Sequence, residues 1–423
     1  VSERYSQLRL KYAAPLSKSR IDGSPDDVRY LGLENIEPWT GRLLTGDARI
    51  IADNGDESVG GVSNCFEKGD VLFGKLRPYL AKAHLAEAPG ICTTELLVLK
   101  PGAKIHGRFL LYALLTEEFI NAVDGSTFGS KMPRADWDFI GNQAVPVPPL
   151  PTQRAIADYL DRETARLDAL VAAKGRLLDL LAEKRRALIT HAVTRGLDPA
   201  APLKESGVEW LEQAPAHWSV KRLKHVVGPV EQGWSPQCDS FPAEENEWGV
   251  LKAGCVNGPE LDALENKRLP DSETPLAELE IKPGDILMSR ANTTELLGSA
   301  VHIKQVRPRL LLCDKLYRFR AEPAVIESDF LVHFLRCHSG RFVMERDATG
   351  ASNSMQNIGQ ETIRNLHVPL PPLPEQRAIV AHIAAETAKL DALRAAAERS
   401  IALLRERRAA LIAAAVTGKL ALA

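Results

Sequence analysis

Two stretches of this 423-residue chain carry a hydrophobic stripe at helical spacing. Ile156, Leu160, Leu167, Leu170, Leu177, Leu181 and Leu188 recur at alternating steps of four and three or their sums, with Glu163, Lys174 and Lys184 between them. The second stretch reads Ile379, Ile383, Leu390, Leu393, Ala397, Leu404 and Leu411, broken at Glu386, Ser400 and Arg407. Such a stripe on an Ala-, Leu-, Glu- and Arg-rich, proline-free run of roughly 43 residues predicts a long amphipathic helix that needs one partner. At about 1.5 Å per residue each would run about 65 Å. Gly196 and Gly418 sit where a helix stop belongs, and Lys184, Arg185, Arg186, Arg405, Arg407 and Arg408 suit the negative end of the helix dipole. Gly175 costs about 1 kcal/mol against Ala in mid-helix, so a bend or loosening is expected in the first helix alone. A proline-rich stretch precedes each helix and reads as an extended connector.

The two stretches are copies. Pro148-Pro149-Leu150-Pro151 returns as Pro371-Pro372-Leu373-Pro374, and at that offset of 223 roughly 29 of 50 positions are identical without a gap, through Ala192-Val193-Thr194 against Ala415-Val416-Thr417. Fainter matches lie upstream: Met132 and Ile140 with Met355 and Ile363, Gly69-Asp70-Val71-Leu72 with Gly284-Asp285-Ile286-Leu287, and Arg9-Leu10-Lys11 with Arg222-Leu223-Lys224. The chain divides into a globular domain (1–141), a helical region (142–197), a second globular domain (198–364) and a second helical region (365–423). Connectivity favours antiparallel pairing of the helices, with a domain at each end of a rod and pseudo-twofold symmetry within one chain. Val71–Phe73, Leu96–Leu99 and Ile286–Met288 read as strands, Phe109–Phe119 and Phe330–Leu335 as helices, giving an α+β class.

Apolar residues at 45% and charged residues at 26% exclude a disordered or collagen-like chain. No apolar run reaches the 18 to 20 or so residues of a membrane span, and no signal-peptide core is present, so a cytoplasmic protein is expected. Six scattered cysteines read as small core residues rather than a zinc or disulfide framework. Basic residues number 17 against 19 acidic over 1–141, 9 against 6 over 142–197, 19 against 25 over 198–364 and 8 against 5 beyond. Whole-chain charge therefore gives no nucleic-acid signal. Phosphate-loop, dinucleotide, zinc-protease and serine-hydrolase motifs are absent, as is the proline-aromatic tetrapeptide of adenine methyltransferases. Gly125–Lys131 lacks phosphate-loop spacing and reads as a polar surface loop, and His333 and His338 as ordinary helix residues. No metal site and no catalytic set are expected, and the chain reads as a non-enzyme.

The duplicated Pro-Pro-Leu-Pro-x-Gln-Arg-Ala-Ile segment leading into a long helix resembles the specificity subunits of Type I restriction-modification systems. Gly69–Pro78 and the run from Gly207-Val208-Glu209-Trp210-Leu211 through Pro215 and Trp218 to Leu223-Lys224 look like the same family. The resemblance implies two target-recognition domains, each reading half of a bipartite double-stranded DNA site, on antiparallel helices that fix the spacer. It implies docking of two DNA adenine methyltransferase subunits and association with restriction and translocase subunits. No cofactor is expected in this chain; S-adenosylmethionine, ATP and Mg²⁺ belong to the partners.

Loop side chains able to reach groove edges or phosphates are the DNA-contact candidates: Lys75, Arg77, Lys131 and Arg134 in the first domain, and Arg290, Asn292, Asn353, Ser354, Gln356 and Asn357 in the second. Gln153, Arg154, Gln376 and Arg377, at the two helix entrances, are the partner-docking candidates. Three departures from the family pattern stand out. Thr152 replaces Glu375, a minor capping difference; the first domain lacks the tryptophan-rich lead-in, so its N-terminus is shortened or differently built; and the second domain, six charges to the acidic side, must gather its basic residues locally to face DNA. Two other readings remain: the recognition subunit of a related phage-defence methylation system, and a coiled-coil scaffold with two protein-binding adaptor domains.

Overall fold

A computed structural model describes residues 5–23, 28–44, 61–129, 131–350 and 356–420, with backbone alone at 49–50. The chain forms two compact units, 1–176 with 397–423, and 177–396. Each unit holds one globular domain, the first part of the helix that follows that domain and the last part of the other helix.

The long helices run Leu150–Arg195 and Leu373–Val416. Pro151 and Pro374 fall in the first turn, where a missing N–H costs nothing, so each helix begins inside the proline-rich stretch rather than after it. The first helix continues through Gly175. Gly196 and Gly418 adopt φ of 78° and 76°, the left-handed stop that glycine permits.

Within the first unit, Ile156 and Leu160 near the start of the first helix share one core with Ile412, Ala415 and Val416 near the end of the second. Within the second unit, Ala192 and Val193 near the end of the first helix meet Ile379 and Ile383 near the start of the second. The pairing is therefore antiparallel in each unit. Leu170, Leu177 and Leu393, expected in the seam, are instead 44%, 43% and 55% exposed. Away from the globular cores the stripe has only one neighbouring helix to cover it, and a two-helix contact shields less of each leucine than a three-layered core does.

The domains are α+β and built alike. In the first, Val71–Gly74 is paired antiparallel with Ala83–Leu85 and Leu96–Leu99. In the second, Ile286–Ser289 lies between Ala300–His302 and Leu316–Phe319, and Glu231–Gln232 extends the sheet. All four residues of both central strands are buried: Phe109 and Phe119 pack on one face of the first and Phe330 and Phe334 on one face of the second, while Leu72 and Leu287 on the opposite faces enter separate apolar clusters. The helix expected over Phe109–Phe119 is two, Gly107–Leu114 and Glu117–Asp124, since the Thr116 hydroxyl bonds back to the Ala113 carbonyl and the chain turns there. Its counterpart is likewise two helices, Ser328–Arg336 and His338–Arg346.

A short antiparallel pair closes each domain onto its long helix, Gln7–Arg9 with Ala144–Pro146 and Ser219–Arg222 with His367–Leu370. Aligning Arg9-Leu10-Lys11 with Arg222-Leu223-Lys224 puts Tyr5 at the place of Trp218. The two do one job: a Cβ on Gly418 would meet the Tyr5 ring at 2.9 Å, and one on Gly196 the Trp218 ring at 3.2 Å. The substitution at 152 also has a reason. Glu375 accepts from Trp218 Nε1 at 3.1 Å and bonds His217 Nε2 at 2.8 Å, and Tyr5 offers no indole N–H for an acid at 152 to receive. Glu375 is thus a lead-in anchor, more than a capping variation.

Four cysteines, Cys92, Cys255, Cys313 and Cys337, are buried and two are partly buried, all as free thiols. Burial pushes Cys92 up to about 12 and Cys313 and Cys337 to about 11, so none of these is poised as a nucleophile.

Candidate nucleic-acid interface

The first-domain candidates lie on two backbone segments that pair with each other. Leaving the central strand, the Lys75 N–H donates to the Glu95 carbonyl at 3.0 Å, and the Lys75 carbonyl accepts from Ala135 at 2.9 Å. Leu76 bridges Arg134, and Arg134 bridges Phe128, so residues 76, 134 and 128 form three adjacent rungs. Arg77 takes a left-handed φ of 50° before Pro78, and its N–H donates to the Pro133 carbonyl at 2.7 Å. Lys75, Arg77, Lys131 and Arg134 are thereby brought to one edge of the domain, with Arg77 and Lys131 exposed.

The second domain repeats this wiring. Arg290 N–H donates to the Lys315 carbonyl at 3.0 Å, Ile358 N–H to the Arg290 carbonyl at 2.9 Å, and Ala291–Asn292 pairs with Gln356–Asn357. Thr349 bridges Asn357 as Phe128 bridges Arg134. Lys75 and Arg290 are therefore equivalent positions, as are Arg134 and Asn357. Arg290, Asn292, Gln356 and Asn357 share one edge; Asn353 and Ser354 lie outside the described residues.

The candidate side chains differ in what already holds them. Arg134 makes a bidentate pair with Glu95, Nε to Oε2 at 3.0 Å and Nη2 to Oε1 at 2.8 Å. Arg290 folds back over the Tyr317 ring and bonds the Asp314 carbonyl at 3.2 Å. The Asn292 amide donates to Asn257 at 3.1 Å, and its oxygen accepts from the Thr293 N–H. Many other cations of the acidic second domain are also engaged internally: Arg268 pairs with Asp239, Glu247 and Asp271, and Arg318 with Glu231. The local concentration of free positive charge expected of that domain is correspondingly small. Glu95, Phe128 and Met132 belong to the first-domain edge and were missed as candidates. Phenylalanine inside the otherwise polar Gly125–Lys131 loop was the available signal.

The helix entrances correct the docking candidates. Gln153 and Gln376 are fully buried. Gln153 Nε2 donates to the carbonyls of Lys104 at 2.9 Å and Pro148 at 2.7 Å, and its Oε1 accepts from the His106 N–H at 2.7 Å. Gln376 does the same with Val325 at 3.1 Å, Pro371 at 2.8 Å and the Glu327 N–H at 2.8 Å. An amide supplies both donor and acceptor, so each glutamine clamps a loop of its own domain to the first turn of its helix. Only Arg154 and Arg377 of the four are exposed.

Among the described residues no three His, Cys, Asp or Glu side chains are grouped to hold a metal, and no helix is long and apolar enough to cross a membrane.

Residues 62–174 match the family model of the Type I restriction modification DNA specificity domain. The chain is 23% identical to the specificity subunit of the Type I restriction enzyme EcoEI of Escherichia coli, over 87% of this chain and 72% of that one. It is 25% identical to the EcoKI specificity subunit of Escherichia coli K12, over 76% and 68%. Among solved structures, a chain from a study of complex assembly and conformational transition in the Type I system superposes with a TM-score of 0.75 at 20% identity, covering 99% of both chains. The HsdS subunit of Thermoanaerobacter tengcongensis gives 0.54 at 20% identity over 99% and 98%. The matched domain and the length of the sequence likeness make the chain similar to the specificity subunits of Type I restriction-modification systems, and it shares the fold of a solved chain of such a system.

Proposed function

We propose that this chain is a DNA sequence-recognition subunit whose two domains each read one half of a bipartite double-stranded target. The observation that carries the reading is the repeated edge: Leu76 with Arg134 and Ala291 with Asn357 are the same rung on equivalent backbones, dressed with different side chains. Identical scaffolds with unlike reading groups suit an asymmetric two-part site, just as identical subunits suit palindromes. The paired helices set the spacer, and their duplicated outer faces, Arg154 and Arg377 included, hold two adenine methyltransferase subunits. S-adenosylmethionine, ATP and Mg²⁺ act on those methyltransferase partners and on the restriction subunits that join them. With so much basic charge engaged internally, the isolated chain binds DNA weakly and gains affinity from the partners' phosphate contacts.

The test is a genome-wide map of N6-methyladenine in the native host, expressing the methyltransferase, with and without this gene. Loss of one split motif with a fixed spacer is the expected result. Identical maps would reject the reading and favour a protein-binding scaffold.

A further inference from the structure

The first-domain edge carries apolar side chains that no interior claims. Phe128 is 62% exposed and Met132 53% exposed, although the domain has a well-filled core nearby. Directly paired residues on adjacent strands point to one face, so Phe128 shares a face with Arg134 across their bridge. Their backbones are tied by reciprocal hydrogen bonds, Phe128 to Arg134 at 3.2 Å and Arg134 to Phe128 at 3.1 Å. Arg134 is itself fixed: Glu95 takes Nε and Nη2, while Nη1 makes no hydrogen bond among the described residues. The Arg134 side chain is still 41% exposed. The face therefore presents an oriented N–H donor group beside an exposed aromatic ring, with the exposed Met132 two residues from Arg134 in the connecting loop.

In the major groove, arginine pairs with guanine O6 and N7, and apolar side chains contact the thymine 5-methyl, the one apolar group the base edges offer. An arginine held by a carboxylate suits base reading, because placement of the donor sets the discrimination.

Resting on the recognition role proposed above, we infer that Phe128 and Met132 read a thymine methyl in the half-site of the N-terminal domain, beside a base contacted by Arg134. Arg134 supplies the polar contact, Glu95 acts as its positioning residue, and the two apolar side chains supply sensitivity to a single methyl group.

The experiment uses the full chain assembled with its methyltransferase subunits and a duplex containing its methylated motif, in which each thymine of that half-site is replaced in turn by deoxyuridine. Removing one buried methyl weakens binding about fourfold at one position. In Phe128→Ala or Met132→Ala that penalty disappears while deoxyuridine in the other half-site behaves as in the wild type. Both side chains are exposed, so neither substitution threatens folding. The inference is overturned if no thymine of that half-site is sensitive, if both variants keep the wild-type penalty, or if the variants lose methyltransferase subunits instead. If the assembled complex binds no bipartite DNA, the recognition role falls first and this inference with it; binding with no methyl sensitivity removes this inference alone.

Discussion

Asp168 Oδ1 of the first long helix lies 3.0 Å from Arg408 Nε of the second, and the same contact displaced by 223 residues joins Arg185 to Asp391 at 2.6 Å. The repeat thus places an identical acid and base at matching points of an antiparallel helix pair, once in each compact unit. Their surroundings differ. Asp168 and Arg408 are 15% and 11% exposed, and Arg42 joins Asp168 at 3.1 Å while Arg408 Nη1 bonds the Trp39 carbonyl at 2.8 Å. Asp391 and Arg185 are 54% and 35% exposed. Removing one member of a buried pair leaves an uncompensated charge, whereas an exposed pair is worth little. Asp168→Ala should cost about 3 kcal/mol and Asp391→Ala under about 1 kcal/mol, measured by urea denaturation followed by hydrogen exchange in each helix. Equal losses would show that the surrounding domain adds nothing to the pair.

The glutamine clamps lead to a local prediction. Gln153→Ala leaves one N–H and two carbonyls without their partner and should destabilise the first unit by about 2 to 3 kcal/mol. Gln376→Ala should do the same to the second unit, and because the sites share no partner the double variant should lose the sum. Arg154→Ala and Arg377→Ala, on exposed positions, should change stability by less than about 0.5 kcal/mol and instead lower the yield of methyltransferase-bound complex. Thermal unfolding and co-purification of all four variants separate the two behaviours; a glutamine variant with wild-type unfolding would remove the clamp.

Acid sensitivity should concentrate in the second domain. The Asp329 carboxyl bonds His302 Nδ1 at 2.8 Å, and Lys304 Nζ lies 2.9 Å from its other oxygen. The hydrogen bond from His302, then Lys304, outweighs burial and holds the acid down at about 2. With the folded value below an unfolded one of about 3.9, the contribution is complete above that pH and vanishes as pH falls through about 2. It amounts to about 2 kcal/mol. Asp329→Asn should be less stable than wild type at pH 7, and the gap should narrow between about pH 4 and pH 2. A gap of constant size over that range would mean that Asp329 acts by packing alone.

The helices, their ends and their duplication were legible because a 3.6-residue period, a proline-rich start and a glycine stop are local signals. The α+β class was legible because Val71–Phe73 and Ile286–Met288 are unbroken apolar runs that each follow a Gly-Asp turn. Burial of Gln153 was not: a polar side chain in the first helical turn looks solvent-facing until the 104–106 loop is folded over it. Nor was the exposure of Leu170 and Leu393, since periodicity tells which positions align but not how many layers cover them. The two candidate edges were half legible. Basic and amide side chains near turns marked both edges, but the pairing of residues 75–77 with 133–135, and the acid that takes up Arg134, depend on long-range contacts.

That acid sets the last prediction. Arg134 is presented to the exterior by Glu95, so Arg134→Ala should remove a base contact worth about 1 to 3 kcal/mol, relaxing one position of the N-terminal half-site by about 5- to 150-fold. Recognition of the other half should be unchanged, because Asn357 occupies the equivalent place there with its own partners. Glu95→Gln tests the arrangement: it retains one acceptor for Arg134 but loses the charge and the second acceptor, so discrimination should fall partway while overall affinity changes little. Arg134→Lys keeps the charge but cannot form the planar double contact, and should resemble Arg134→Ala in specificity and wild type in salt dependence. Methylation mapping of the three variants reads the outcome directly. A loss shared equally by both half-sites would mean that Arg134 supports folding or partner assembly rather than recognition.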